Sequence, residues 1–203
     1  MRALLFAALF LVPAGIDAAT LPPRDECAND ASFSDFRAKL FEAVTRKDVE
    51  GLLALSDDNI RLGFGDNDGK AIFRADLKED ATWAELTKLS RLGCALDGER
   101  RAIPHMYLHL GDRDAFDTFV TAGSGIALRA APRVDGKLLA RLNWEILTLV
   151  PRAGNSGRWL HLRTDSSMTG YVRRDLLRSS VDYRAIFEKS TSGWRMTAFL
   201  AGD

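Results

Sequence analysis

Residues 125–177 read GIALRAAPRVDGKLLARLNWEILTLVPRAGNSGRWLHLRTDSSMTGYVRRDLL, and this stretch decides the fold expected of the chain. Its apolar residues come in short alternating runs: Ile126 to Leu128, Leu138 to Leu142, Ile146 to Val150, Trp159 to Leu162 and Gly170 to Val172. Gly, Asn, Ser or Pro clusters separate most of them. Alternation with a period of two marks a half-buried strand, and many short strands joined by turns predict a small barrel. Further on, Tyr183, Ala185 and Phe187 alternate, Ser190 to Gly193 turns, and Trp194, Met196, Ala198 and Leu200 alternate again. That pattern predicts a terminal β-hairpin.

Upstream the period changes. Phe36, Leu40, Phe41 and Val44 recur at helical spacing as far as Arg46, with Ser34 placed to cap the helix. Val49, Leu52, Leu53 and Leu55 predict a second short helix. Ile60, Leu62 and Phe64 alternate as a strand, and Gly65 to Gly69 is a turn. Trp83, Leu86, Leu89 and Leu92 predict a helix that stops at Gly93, and Met106, Leu108 and Leu110 alternate as a strand.

The stretch 125–177 resembles a bacterial Src-homology-3 (SH3) domain. The matching residues are Ile126-Ala127-Leu128-Arg129 with Pro132, Leu138 to Leu142, Leu149-Val150, Trp159-Leu160-His161-Leu162, and Thr169-Gly170-Tyr171-Val172 before Leu176. The tail, Asp182 to Phe187 and Trp194 to Asp203, looks like that of exported SH3-containing proteins of a proteobacterial-type family. Phe64-Gly65 and Pro104-His105-Met106-Tyr107 sit where that family's companion domain has its signature. The helix, helix, strand order is also loosely similar to cystatin-like and nuclear-transport-factor-like folds. The expected fold is therefore α+β: an N-terminal helix-plus-small-sheet domain, an SH3-like β-barrel and a C-terminal β-hairpin. The expected divisions are a signal peptide 1–18, an arm 19–33, an acidic α+β domain 34–122, the barrel 123–179 and the hairpin 180–203 packing back on the domains.

The N-terminus has a short positive region at Arg2, an apolar run Ala3 to Val12, a break at Pro13-Ala14-Gly15 and small residues at Ala18 and Ala19. This is the three-part pattern of a cleavable secretory signal, too short to anchor in a bilayer. The expected location is periplasmic or secreted, with no transmembrane anchor after cleavage. In an oxidising compartment Cys27 and Cys94 read first as a disulfide, the alternative being two buried free thiols. Charge is split along the chain. Residues 20–120 carry 14 Lys and Arg against 20 Asp and Glu, and residues 121–203 carry 13 against 7. Either the two halves dock by complementary charge, or the Arg-rich half meets an anionic partner. Export and overall neutrality exclude nucleic acid as the expected partner.

The SH3 resemblance implies binding, with peptidoglycan peptides or an envelope protein as partner. On the Trp159 to Leu162 strand, Leu160 and Leu162 share one face and Trp159 and His161 the other. Trp159, His161 and Tyr171, framed by Arg129, Arg133, Arg158 and Arg173, are the candidate groove, since a flat aromatic beside Arg suits peptides bearing carboxylates. No catalytic signature is present: no Gly-x-Ser-x-Gly, no phosphate loop and no dinucleotide fingerprint. His105 and His109 lack a His-Glu-x-x-His setting and adjacent Cys, so they read as strand residues near a surface. The Asp66–Gly69 loop fails the EF-hand pattern, and Cys94 with His105 lacks a cysteine-peptidase signature. The expectation is a non-catalytic exported envelope-binding or scaffold protein with no cofactor and no metal. Its alternatives are a cell-wall hydrolase or accessory acting through the N-terminal domain, and an interaction module whose groove is internally occupied.

Overall fold

Asp30, rather than Ser34, caps the first helix. Its carboxylate accepts the Phe33 amide at 3.1 Å, so α1 spans Ala31–Arg46 and satisfies one of the orphan donors of its first turn. The structure is a computed structural model that describes residues 19–151 and 157–202; the expected signal peptide, 1–18, lies outside the described residues. Asp48 repeats the device for α2 (Val49–Ala54), accepting the Gly51 amide at 3.0 Å. There follow β1 (Ser56–Arg61), α3 (Lys70–Asp76), α4 (Asp80–Leu89), β2 (Ala95–Asp97) and β3 (Arg100–Ile103). The strand expected over Met106 to Leu110 is instead a 3-10 turn, His105–Leu108. Pro104 has no N–H to donate to a ladder, and its carbonyl accepts the Tyr107 amide at 3.1 Å, which starts the turn.

The second half adds β4 (Thr118–Thr121), β5 (Ile126–Arg129), β6 (Leu138–Leu142), β7 (Ile146–Leu149), β8 (Trp159–Thr164), β9 (Thr169–Arg173) and β10 (Leu177–Ser179). The chain closes with β11 (Arg184–Ser190) and β12 (Gly193–Leu200).

Two sheets organise these strands, in the orders β1-β12-β11-β3-β2 and β10-β4-β7-β8-β9-β5-β6. In the first, β1 and β12 are parallel and the other pairs antiparallel. The helices pack on this sheet. Phe33, Phe36 and Leu40 of α1, Phe73 of α3, and Trp83, Leu86 and Leu89 of α4 join Ile60, Ile103, Phe187, Met196 and Phe199 in one core. The second sheet has its own core of Leu128, Leu142, Leu147, Leu160, Leu162 and Val172.

This corrects the expected fold class. Among the described residues there is no closed SH3-like barrel: the sheet ends at β10 on one side and β6 on the other. Leu138 and Leu139 on the β6 edge are 43% and 38% exposed, with no further strand to cover them. The C-terminal hairpin, expected to pack back on the domains, pairs with β1 and β3. The hairpin supplies two inner strands of the helix-covered sheet, so the first and last parts of the chain build one core.

The N-terminal arm is held at two places. Asp25 forms a parallel bridge with Cys94, the Glu26 amide donates to the Cys94 carbonyl at 2.9 Å, and the Cys94 amide donates to Arg24 at 2.8 Å. Farther out, the Leu21 amide donates to the Trp144 carbonyl at 2.7 Å. Cys27 and Cys94 form a disulfide with a Cα separation of 5.8 Å, and both are buried. Gly93 makes this approach possible. It sits at φ +70°, and a Cβ there would lie 2.1 Å from the Arg24 carbonyl oxygen, a clash that only glycine avoids.

Candidate functional site

A cleft of about 1410 Å³ runs between α4 and the second sheet. Lys88 and Arg91 line it from the helix and the turn that follows. Arg173 and Arg178 line it from β9 and β10, Arg158 and Arg174 from the turns before β8 and after β9, and Phe119 and Trp144 give it an apolar wall. Six cations therefore face three carboxylates, Glu85, Asp175 and Asp182. Two of the cations are already paired: Lys88 with Glu85 at 2.5 Å, and Arg173 with Asp175. Arg91, Arg158 and Arg174 make no salt bridge among the described residues.

Arg178 is the unusual member. It is 6% exposed. Its Nη2 donates to the Tyr183 carbonyl oxygen, while its Nε has no hydrogen-bond partner among the described residues. Burial lowers its pKa, with Asp182 and Glu85 opposing the shift; an Arg nevertheless stays charged. A buried guanidinium with an unused donor is costly without an anion to meet it.

Charge complementarity between the halves is little used. Among the described residues one salt bridge crosses from 20–120 to 121–203, Arg113 to Asp165 at 2.7 Å, and its acid belongs to the basic half. Four arginines of the basic half, Arg158, Arg173, Arg174 and Arg178, lie along the cleft.

The structure separates the residues singled out by sequence. Arg158 and Arg173 line the cleft. Trp159 is buried and stands opposite Arg173 across β8 and β9, and His161 stacks on Tyr171 with ring centroids 4.6 Å apart. Arg129 pairs in register with Tyr171 on β9 and donates to the Gly136 carbonyl at 2.8 Å. Arg133 stands apart, exposed and 3.7 Å from Asp135. Sequence reasoning missed Lys88 of α4, Arg91 in the turn after it, Arg174 in the 3-10 turn after β9 and Arg178 of β10, which share no local pattern.

A second cluster forms where the arm meets the 3-10 turn. Glu26 Oε1 lies 3.4 Å from His105 Nε2 and 3.1 Å from His109 Nε2, and the two rings stack at 4.2 Å. Glu26 Oε2 accepts the Leu96 amide at 3.1 Å, the chief reason its pKa is lowered. His105 is buried, and that burial lowers its pKa. The His pair was visible in the sequence; Glu26 was not, because the disulfide brings it in from the arm.

Glu145 is 7% exposed, and burial, with Asp165 adding to it, raises its pKa. A carboxyl whose folded pKa exceeds the unfolded value of about 4.3 favours the fold while protonated. That contribution is lost as pH rises through the folded value. Glu145→Gln is therefore expected to raise the melting temperature at pH 7–8 and to change it little at acid pH. Thermal unfolding across pH checks this; equal shifts at both ends would refute it.

No protein-family model matches the chain, and no curated protein matches it. Solved structures do align with it. One is an NTF2-like protein with a cystatin-like fold from Novosphingobium aromaticivorans, 12% identical, covering 83% of this chain and 77% of its own, TM-score 0.30. Another is a protein with a cystatin-like fold from Nostoc punctiforme, 10% identical, covering 88% and 92%, TM-score 0.33. A third is a ketosteroid isomerase-like protein from Erwinia carotovora atroseptica, 11% identical, covering 84% and 92%, TM-score 0.29. These names correct the SH3 identification, since neither a family match nor these neighbours carries it. The non-catalytic envelope-scaffold function and its peptidoglycan ligand rested on that identification and are withdrawn with it. The expectation of no enzyme rested on the same identification and goes with it. At these TM-scores and identities the likeness assigns this chain neither a fold family nor a reaction.

Among the described residues no helix is long and apolar enough to cross a membrane. The Cys27–Cys94 disulfide is compatible with an exported protein.

Proposed function

We propose that the protein binds an anionic small molecule, bearing carboxylate or phosphate groups, in the Arg-lined cleft. The observation that carries this reading is Arg178, a buried cation with an unpartnered donor at the edge of a cleft where cations outnumber carboxylates two to one. Arg178 would meet the oxyanion where water is excluded. Arg91 and Arg158 are exposed on opposite walls and would clamp it from outside. Phe119 and Trp144 supply the apolar surface that small-molecule sites use beside a few placed polar groups. The disulfide supports a working place outside the cytoplasm, periplasmic or secreted.

Calorimetric titration with citrate and with pyrophosphate, at low salt, tests the reading. One or both should bind with one-to-one stoichiometry, and binding should weaken as salt rises. Arg91→Glu/Arg158→Glu reverses two charges at exposed positions and should weaken binding more than about tenfold, the loss of one charge-assisted hydrogen bond or more. Binding of neither anion would overturn the proposal, as would equal affinity in the double variant.

A further inference from the structure

We infer that Glu26, His105 and His109 form a binding site for a divalent transition-metal ion, distinct from the cleft. The three donor atoms lie within 4.8 Å of one another. The single oxygen Glu26 Oε1 faces both imidazoles, at 3.4 Å from His105 Nε2 and 3.1 Å from His109 Nε2. Two ligands bonded at about 2.05 Å to one tetrahedral ion stand about 3.3 Å apart. Glu26 Oε1 is therefore spaced from each imidazole nitrogen as two ligands of one ion are spaced, and all three donors lie within 4.8 Å of one another.

The set is also held in place. His105 and His109 are fixed at the two ends of the 3-10 turn, with the His105 amide bonded to the Leu92 carbonyl at 3.0 Å and the His109 amide to Met106 at 3.1 Å. Glu26 is fixed by the Leu96 amide, by its backbone pairing with Cys94 and by the adjacent disulfide. His105 is buried while the side chains of His109 and Glu26 are 37% and 31% exposed, so one side of the cluster is open to solvent. Three protein ligands with an open fourth position, two of them imidazole and one carboxylate, suit Zn²⁺ and its borderline neighbours rather than Ca²⁺ or Mg²⁺.

The test uses the tag-free, disulfide-intact protein titrated with Zn²⁺ by calorimetry and with Co²⁺ by visible absorption. The expected result is one saturable equivalent, with the intense ligand-field bands of four-coordinate Co²⁺. His109→Ala and Glu26→Gln, both at partly exposed positions that folding tolerates, should each weaken binding at least about 10–100-fold. His161→Ala, which removes the remaining histidine of the chain, should leave it unchanged and so excludes nonspecific histidine binding. Absence of one-to-one binding would overturn the inference, and so would binding that survives both His109→Ala and Glu26→Gln.

Discussion

Cys27→Ala/Cys94→Ala is expected to lose about 4 kcal/mol of stability, the chain-entropy value for a loop of this length. The bridged residues are 67 apart in sequence, and the loop they close contains α1 through α4 and β1. The cross-link acts chiefly on the unfolded chain, which loses conformations it would otherwise explore. In the folded protein both sulfurs are buried against the same core as Phe33 and Leu89. At roughly 2–4 °C per kcal/mol for a chain of this size, the melting temperature should fall by about 8–16 °C. Wild-type protein melted in strong reductant should approach the variant. Alkylation of unfolded, unreduced wild type should modify neither cysteine. A double variant that melts with the wild type would show that the bridge constrains little, and two alkylated cysteines would show that it does not form.

Local chemistry was legible in the sequence, and pairing over long distances was not. The alternation of Ala185 and Phe187, and of Trp194 and Met196, announces two strands because side chains alternate faces along a strand. Nothing in that alternation says that β12 lies parallel to β1, which begins 137 positions earlier at Ser56. The hairpin is therefore expected to pack back on the domains without a stated partner, and the fold places it as the inner strands of the helix-covered sheet. The helix cap was misread for a local reason: Asp30 and Ser34 are both capping residues, and the helix begins at the earlier one. Pro104 starts a 3-10 turn where the alternation of Met106, Leu108 and Leu110 predicts a strand. The alternation places Trp159 on the face opposite Leu160 and Leu162 but does not say what covers that face; in the fold Trp159 and Leu160 are both buried. Two of the cleft's arginines, Arg158 and Arg173, were picked for their nearness to that Trp. Arg91 and Arg178 gave no signal because a cleft between two layers has no period.

Phe187→Ala tests the conclusion that the two ends of the chain share one core. Phe187 is fully buried at the middle of β11. Its ring meets Phe33 edge-on at 5.3 Å and Phe36 at 5.8 Å, both on α1. Trp194 of β12 meets the same Phe33 at 5.0 Å, and its indole N–H donates to Ser32 at 3.0 Å. Deleting the ring removes its transfer free energy and leaves a cavity lined by two helical aromatics, and such substitutions cost about 3–5 kcal/mol. Leu139→Ala, at a partly exposed edge of the other sheet, should stay within about 0.5 kcal/mol as an ordinary surface change. Chemical denaturation with circular dichroism at helical wavelengths separates the two views. If the hairpin is part of the helical core, Phe187→Ala lowers the midpoint at which α1 to α4 melt, although the substitution lies far from them in sequence. A helical transition that stays at its wild-type midpoint would mean that the hairpin contributes no stability to the helices it covers.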